Sequence, residues 1–202
     1  TVRKGQRRLD GLTGNVIWHA GAAPGGATFM RTVSGMDHSV ASDLAVLDRN
    51  FDGFADRVYI PDTGGKVWRA DIDDADPANW NVTLLASLGG TGASARRFLF
   101  PPDVVYANGT QNYDAVLIGS GDREHPLDTS VADRFYMLKD TNTGPLSTDL
   151  NIVESELFDA SDNLIQDGSF ESGGVAYANS WVAGQGALTV DFHATDAVHP
   201  ST

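Results

Sequence analysis

The sequence predicts an all-β fold, namely part of a β-propeller built from four-stranded antiparallel blades. Short runs rich in Val, Thr, Tyr, Phe and Trp alternate with Gly/Asn/Asp/Pro clusters, which is typical of strands joined by turns. No long stretch has a helical apolar period. A complete propeller commonly has about four to eight blades, and 202 residues leave room for about four of ordinary length. We therefore expect residues 1–202 to form a single, partial propeller domain.

The first predicted element is a hairpin near the amino end. Between Leu9 and Trp18 the sequence places an Asp, a Thr-Gly turn and a Trp four residues beyond the Gly. This spacing resembles blades of quinoprotein-like propellers, in which the turn joins two outer strands and the Trp packs against the next blade. A generic hairpin needs the turn but not the Asp and Trp. The basic cluster at residues 3–8 lacks a following apolar stretch that would make it a signal peptide.

The next element is a predicted blade at about residues 43–88. Its four strands are expected at 43–47, 57–61, 66–72 and 80–88, and Asp62-Thr63-Gly64-Gly65 turns the chain between the second and third. Four antiparallel strands in about 45 residues match the size of one propeller blade. Because side chains alternate along a strand, Trp68 faces away from Val67 and Arg69 and is predicted to pack between neighbouring blades.

The loop between the first two strands of this blade carries the pattern of a calcium site. Asp48, Asn50 and Asp52 occupy loop positions 1, 3 and 5, Gly53 occupies position 6 and Asp56 position 9. Calcium takes six to eight oxygen ligands, and a short loop supplies them by turning sharply so that alternate side chains converge. The predicted ligands are the side chains at positions 1, 3, 5 and 9, the backbone carbonyl of Phe54 at position 7, and water.

The loop is not an EF-hand, because that motif needs a bidentate Glu at position 12, which is Tyr59 here. Its flanks, Leu44–Leu47 and Arg57–Ile60, are short and β-prone. The alternative is a solvated hairpin turn, for which Asp, Asn and Gly are also the usual residues. Three carboxylates within nine residues repel one another unless a cation is bound, and this favours calcium.

A second blade is predicted at about residues 98–140. Strands are expected at 103–106, 115–119 and 134–138, with a polar turn at 108–112, so the order of strand, turn, strand, loop and aromatic strand parallels the first blade. The end of the chain, at about residues 168–202, is predicted to be loop-rich because it begins with a stretch of Gly, Ser and Ala.

Three segments together resemble the PilY family of type IV pilus proteins. They are the calcium-loop segment Asp48–Asp71, the pair Phe100–Val104 and Gly119–Leu127, and the aromatic strand Asp133–Asp140. The resemblance covers about residues 7–167. It implies the carboxy-terminal, quinoprotein-like propeller of a non-enzymatic pilus assembly factor and tip adhesin at the bacterial cell surface.

The same resemblance implies a role for calcium and a set of partners. In the family, bound calcium is tied to the balance between pilus extension and retraction, and its ligands correspond to Asp48, Asn50, Asp52, the Phe54 carbonyl and Asp56. Pilus components such as minor pilins, and host or abiotic surfaces, are the implied partners. The family's large amino-terminal adhesive region is absent from this sequence, so binding of a host receptor is not carried over.

Other polar constellations favour structural interpretations. Asp159–Asp167 repeats oxygen residues at positions 1, 3, 5 and 9 but has Leu164 where the turn needs Gly, which favours a polar loop over a second calcium site. His125 beside Asp122 and Glu124 lacks a nucleophile at motif spacing, so a loop in which Asp122 and Arg123 pair or cap backbone groups is expected. The acidic residues at 71, 73, 74 and 76 are predicted to form a solvated turn.

Charge and composition limit the possible functions. The formal net charge of −13 argues against binding to nucleic acid, which depends on Lys and Arg meeting phosphates. No apolar run approaches the roughly 18 residues of a membrane span, so none is expected in this segment. Two alternative classes stay open: a calcium- and quinone-dependent dehydrogenase-type propeller, and an integrin-like ligand-binding propeller. The first lacks an identifiable cofactor-stacking arrangement, and the second should repeat its calcium loop in each blade.

Overall fold

A computed structural model describes residues 6–22, 29–108 and 110–159. The chain divides into two compact units, Thr1–Glu154 and Ser155–Thr202, and the strands of the described residues lie in the first. The strands are β1 (Gln6–Leu9), β2 (Val16–Gly21), β3 (Phe29–Thr32), β4 (Ala45–Leu47), β5 (Arg57–Pro61), β6 (Lys66–Asp71), β7 (Asn81–Ser87), β8 (Asp103–Ala107), β9 (Tyr113–Gly119), β10 (Phe135–Asp140) and β11 (Ile152–Val153). Short 3-10 turns occupy Pro77–Asn79, Gly92–Ser94 and Glu154–Glu156.

The described strands form three sheets. The first sheet has the order β1-β2-β3, the second β11-β7-β6-β5-β4 and the third β10-β9-β8. In the second sheet β4 to β7 pair antiparallel in sequence order, as predicted for one blade, and β11 adds to β7 in parallel. The first and third sheets have three strands each among the described residues. An all-β fold is confirmed, whereas closure of these sheets into a propeller stays a prediction.

An apolar core joins the first and second sheets. Trp18 and Ala20 of β2 pack with Val58 and Ile60 of β5 and with Trp68 of β6. The rings of Trp18 and Trp80 meet edge to face, with centroids 5.7 Å apart. The predicted burial of Trp68 between sheets is confirmed, since it is 1% exposed within this core.

The face of the second sheet that points away from the apolar core packs against the third sheet. Residues on β5 and β6 alternate, so the neighbours of the apolar core residues, among them Tyr59 and Arg69, point the other way. They contact Asp114 of β9 and Asp140 of β10. The second sheet therefore has one apolar and one largely polar face, both buried.

None of the helical turns in the described residues is long and apolar enough to cross a membrane. The predicted second-site segment Asp159–Asp167 and the predicted loop-rich end at 168–202 lie outside the described residues, except for Asp159 itself.

Candidate calcium site

The acidic loop forms the whole connection between β4 and β5. Strand β4 ends at Leu47 and β5 begins at Arg57, so the nine residues from Asp48 to Asp56 are the loop itself. The Asp56 amide donates to the Leu47 carbonyl at 2.8 Å, and the Ile72 amide donates to the Asp56 carbonyl at 2.8 Å. Both ends of the loop are therefore fixed by the second sheet.

The backbone turns at the position that the sequence predicts. Gly53 has a φ of +92°, a left-handed conformation that glycine adopts without strain. Phe51 also has a positive φ, of +62°, and its side chain is exposed. Position 12 of the loop, Tyr59, lies on β5 with its side chain fully buried, so it is not a ligand and the EF-hand geometry is excluded.

Loop carboxylates accept hydrogen bonds from backbone amides of the loop. Asp48 accepts from the amides of Asp52 and Gly53 at 3.2 and 2.8 Å. Asp52 accepts from the Phe54 amide at 2.8 Å. Asp56 accepts through one oxygen from the amides of Arg49 and Asn50 at 2.7 and 3.2 Å. These bonds aim the side chains at positions 1, 5 and 9 toward the loop's own backbone.

The donor set suits a hard cation, although the carboxylates are not drawn tightly together. Asp48, Asn50 and Asp52 offer carboxylate and amide oxygens, the ligands that calcium prefers. Among the described residues, however, the three loop carboxylates do not form a group with oxygens mutually within 4.8 Å. Each shares its lone pairs with loop amides instead. Ligation would require these side chains to turn toward a common point within the exposed loop.

A buried charged network lies directly beyond the loop, between the second and third sheets. Arg57 donates to Asp114 at 2.6 Å and approaches Asp71 at 3.3 Å. Arg69 donates to Asp71 at 2.7 Å and to Asp140 at 2.8 Å. All five side chains are at most 5% exposed, so the ion pairs are shielded from water and each charge depends on its partners.

Tyr59 joins the two carboxylates of the third sheet. Its hydroxyl lies 2.9 Å from Asp114 Oδ2 and 2.8 Å from Asp140 Oδ2. Burial, together with the negative charge of Asp140, raises the pKa of Tyr59 well above its ordinary value, so the hydroxyl keeps its proton and donates it. Burial alone would lower the pKa of Arg57, but the carboxylates of Asp71 and Asp140 raise it overall, so Arg57 stays charged.

Sequence reasoning missed this network and placed one of its members wrongly. Asp71 was predicted in a solvated acidic turn, yet it is 5% exposed and pairs with two arginines. The exposed part of that turn is residues 73, 74 and 76, where Asp74 and Asp76 accept backbone amides. A signal was present, because Arg57, Arg69 and Asp71 are charged residues set within otherwise apolar, β-prone strands.

The loop also lines a cleft of about 840 Å³ beside the apolar core. Asp52, Phe54 and Asp56 form one wall, and the indole rings of Trp18 and Trp80 contribute to the lining. Any reorganisation of the loop therefore reshapes one side of this cleft.

In the His125 cluster, Asp122 caps a backbone amide, as predicted. Asp122 accepts from the Glu124 amide at 2.9 Å and from Arg97 at 3.0 Å, and His125 Nδ1 lies 3.4 Å from it. The Glu124 amide is the main reason that the pKa of Asp122 is lowered. The predicted pairing of Arg123 with Asp122 is not present, since Arg123 stacks over the ring of Phe100 at 4.9 Å.

The fold and the loop together define a β-sheet domain with an acidic, oxygen-rich hairpin loop. No family model matches the chain. The type IV pilus biogenesis factor PilY1 homolog of Xylella fastidiosa (strain Temecula1 / ATCC 700964) is 26% identical over 125 residues, which is 59% of this chain and 8% of that protein. The chain thus spans less than a tenth of the relative's length.

A solved structure has a similar fold. The crystal structure of the Pseudomonas aeruginosa PilY1 C-terminal domain aligns with a TM-score of 0.55 at 20% identity, over 76% of this chain and 35% of that one. The resemblance predicted from the sequence motifs is confirmed: the chain is similar to the C-terminal domain of the PilY family.

Proposed function

We propose that this chain is a calcium-binding, non-enzymatic propeller module of a type IV pilus biogenesis factor. The observation that carries the proposal is the loop Asp48–Asp56, which fills the whole connection between β4 and β5 with oxygen-bearing side chains at alternate positions. The similarity to a type IV pilus biogenesis factor supplies the biological setting.

In the proposed site the ion is held by residues of one loop. The side chains of Asp48, Asn50, Asp52 and Asp56 and the carbonyl of Phe54 would be the protein ligands, and water would complete the shell. Bound calcium would supply two positive charges against the three carboxylates and would order an exposed loop. Its effect would be structural: it would stiffen the β4–β5 hairpin and one wall of the adjoining cleft.

The wider role follows from the family resemblance. A domain of this kind would act at the bacterial cell surface with pilus components such as minor pilins, and with host or abiotic surfaces. Calcium binding would then favour pilus extension over retraction and would support attachment to surfaces.

Calorimetry tests the calcium site. If the ion binds only the folded chain, calcium at a hundredfold excess over its Kd adds about 3 kcal/mol to the free energy of unfolding, which raises the melting temperature by roughly 6 to 12 °C. Asp52→Ala should lose most of this increment and the heat of binding. Asp128→Ala removes a carboxylate that accepts the Ser130 amide in a different exposed loop, and it should keep both. Wild-type protein with no binding heat and no calcium-dependent shift would refute the proposal.

A further inference from the structure

The residue between the first two proposed ligands connects the loop to the third sheet. Arg49 is loop position 2, and its amide donates to the position-9 carboxylate of Asp56 at 2.7 Å. Its side chain extends to the third sheet, where Nε lies 3.3 Å from Asp114 Oδ1 and the guanidinium stacks over the Tyr106 ring at 4.9 Å. The side chain is only 13% exposed, so it belongs to the interface rather than to the loop surface.

Arg49 balances the charge of the buried network. Without it, the two arginines Arg57 and Arg69 face three carboxylates, those of Asp71, Asp114 and Asp140. Asp114 Oδ1 is fully buried and has no hydrogen-bond partner among the described residues. The Arg49 guanidinium forms an ion pair with this oxygen at 3.3 Å, without a hydrogen bond. The loop therefore supplies the cation that the network lacks.

The position of Arg49 makes this contact sensitive to the order of the loop. Its neighbours Asp48 and Asn50 are proposed ligands, so an ion that fixes both would also fix the backbone between them. Holding the long Arg49 side chain in one rotamer costs conformational entropy, and part of that cost is removed when its backbone is already fixed.

We propose that Arg49 transmits calcium binding at the loop to the packing of the second sheet against the third. The proposal rests on the calcium site proposed above and assigns it a regulatory output. Calcium would tighten the Arg49–Asp114 contact and so stabilise the sheet that carries Asp114 and Asp140. If Arg49 were merely structural, its contact would stabilise the interface to the same extent with and without calcium.

Amide hydrogen exchange with and without calcium distinguishes a transmitting role of Arg49 from a merely structural one. In the wild type, calcium should slow exchange in the loop and, by about fivefold or more, in β9 and β10 of the third sheet. Strand β2 of the first sheet serves as the internal reference for global stabilisation. In Arg49→Gln, calcium should still protect the loop, but its extra effect on β9 and β10 should be lost. Arg97→Gln is the matched control, because Arg97 pairs with Asp122 outside the network and its side chain is 50% exposed.

A second variant at position 49 tests whether the coupling needs the guanidinium or only its positive charge. Arg49→Lys keeps the positive charge but loses the planar guanidinium, so it should keep only part of the calcium effect on the third sheet. It also provides the test if Arg49→Gln does not fold. The inference would be overturned if calcium still slowed exchange in β9 and β10 of Arg49→Gln. It would also be overturned if calcium slowed exchange in these strands of Arg49→Lys as much as in the wild type. If calcium protected only the loop of the wild type, the role of Arg49 would be overturned and the calcium site would stand. If the wild type showed neither binding heat nor loop protection, the role of Arg49 and the calcium site would both be overturned.

Discussion

Tyr59 shows how a single buried polar group links two sheets. Its ring lies on β5, and its hydroxyl reaches carboxylates on both β9 and β10. A hydroxyl has one proton, so it donates to one carboxylate at a time, while the arginines of β5 and β6 supply the other donors. Such a site is stable only when every partner is present, because a buried carboxylate that loses a donor pays its full desolvation cost.

Replacement of Tyr59 by Phe tests that residue-level argument. The variant keeps the ring but removes the hydroxyl, so we expect the free energy of unfolding to fall by about 1 to 3 kcal/mol. Urea denaturation in the presence of chelator measures the change. Tyr113→Phe is the control, since that half-buried ring stacks with Lys139 and lies outside the network, and it should change stability by less than about 0.5 kcal/mol. Equal stability of the two variants would contradict the argument.

The β5–β6 hairpin owes its shape to the turn Asp62–Gly65. Asp62 is fully buried, and its carboxylate accepts the amides of Gly64 and Lys66 at 2.8 and 3.0 Å and the indole N–H of Trp68 at 2.9 Å. The turn was predictable because Asp and paired Gly are strong local signals between β-prone runs. Strand β11 was not, because it is two residues long and pairs in parallel with a strand more than 60 residues earlier.

Gly65 is the residue of this turn that tolerates change least. It has a φ of +77°, and an added Cβ would lie 2.5 Å from the Gly89 Cα, which is backbone and cannot swing aside. We expect Gly65→Ala to lower the free energy of unfolding by about 2 kcal/mol or more. Gly11→Ala, at a turn with open space around it, should be close to neutral. Thermal melts of both variants measure the difference, and a neutral Gly65→Ala would show that the close approach of Gly65 to Gly89 is not required.

At the scale of the whole molecule, the sequence predicted the sheets better than the contacts between them. Most strands lie where alternation and turn residues placed them, and the nine-residue loop sits between the predicted strands. The pairing of Arg57 with Asp114 joins residues 57 positions apart, and it depends on which faces of two sheets meet. No local pattern carries that information. Arg49 escaped notice for the same reason, since position 2 of the loop is not a ligand and its partner lies in the third sheet.

Two buried tyrosines, Tyr59 of β5 and Tyr136 of β10, make the molecule sensitive to alkaline pH. Burial raises the pKa of Tyr136 to about 12, and the pKa of Tyr59 is raised further for the reasons given above. An unfolded tyrosine titrates near pH 10. Between pH 10 and about 12 the unfolded chain therefore binds fewer protons than the folded one, and the free energy of unfolding falls as pH rises. The contribution of these tyrosines is fully present below pH 10.

Urea titrations between about pH 9 and 11.5 in chelator measure this slope. Tyr59→Phe and Tyr136→Phe should each flatten it, because each removes one group whose proton affinity differs between the two states. Phe135→Leu is the control, since that side chain is 72% exposed and carries no ionisable group, and it should leave the slope unchanged. If neither Tyr59→Phe nor Tyr136→Phe altered the slope, the alkaline loss of stability would come instead from repulsion within a chain whose net charge is already −13 at pH 7.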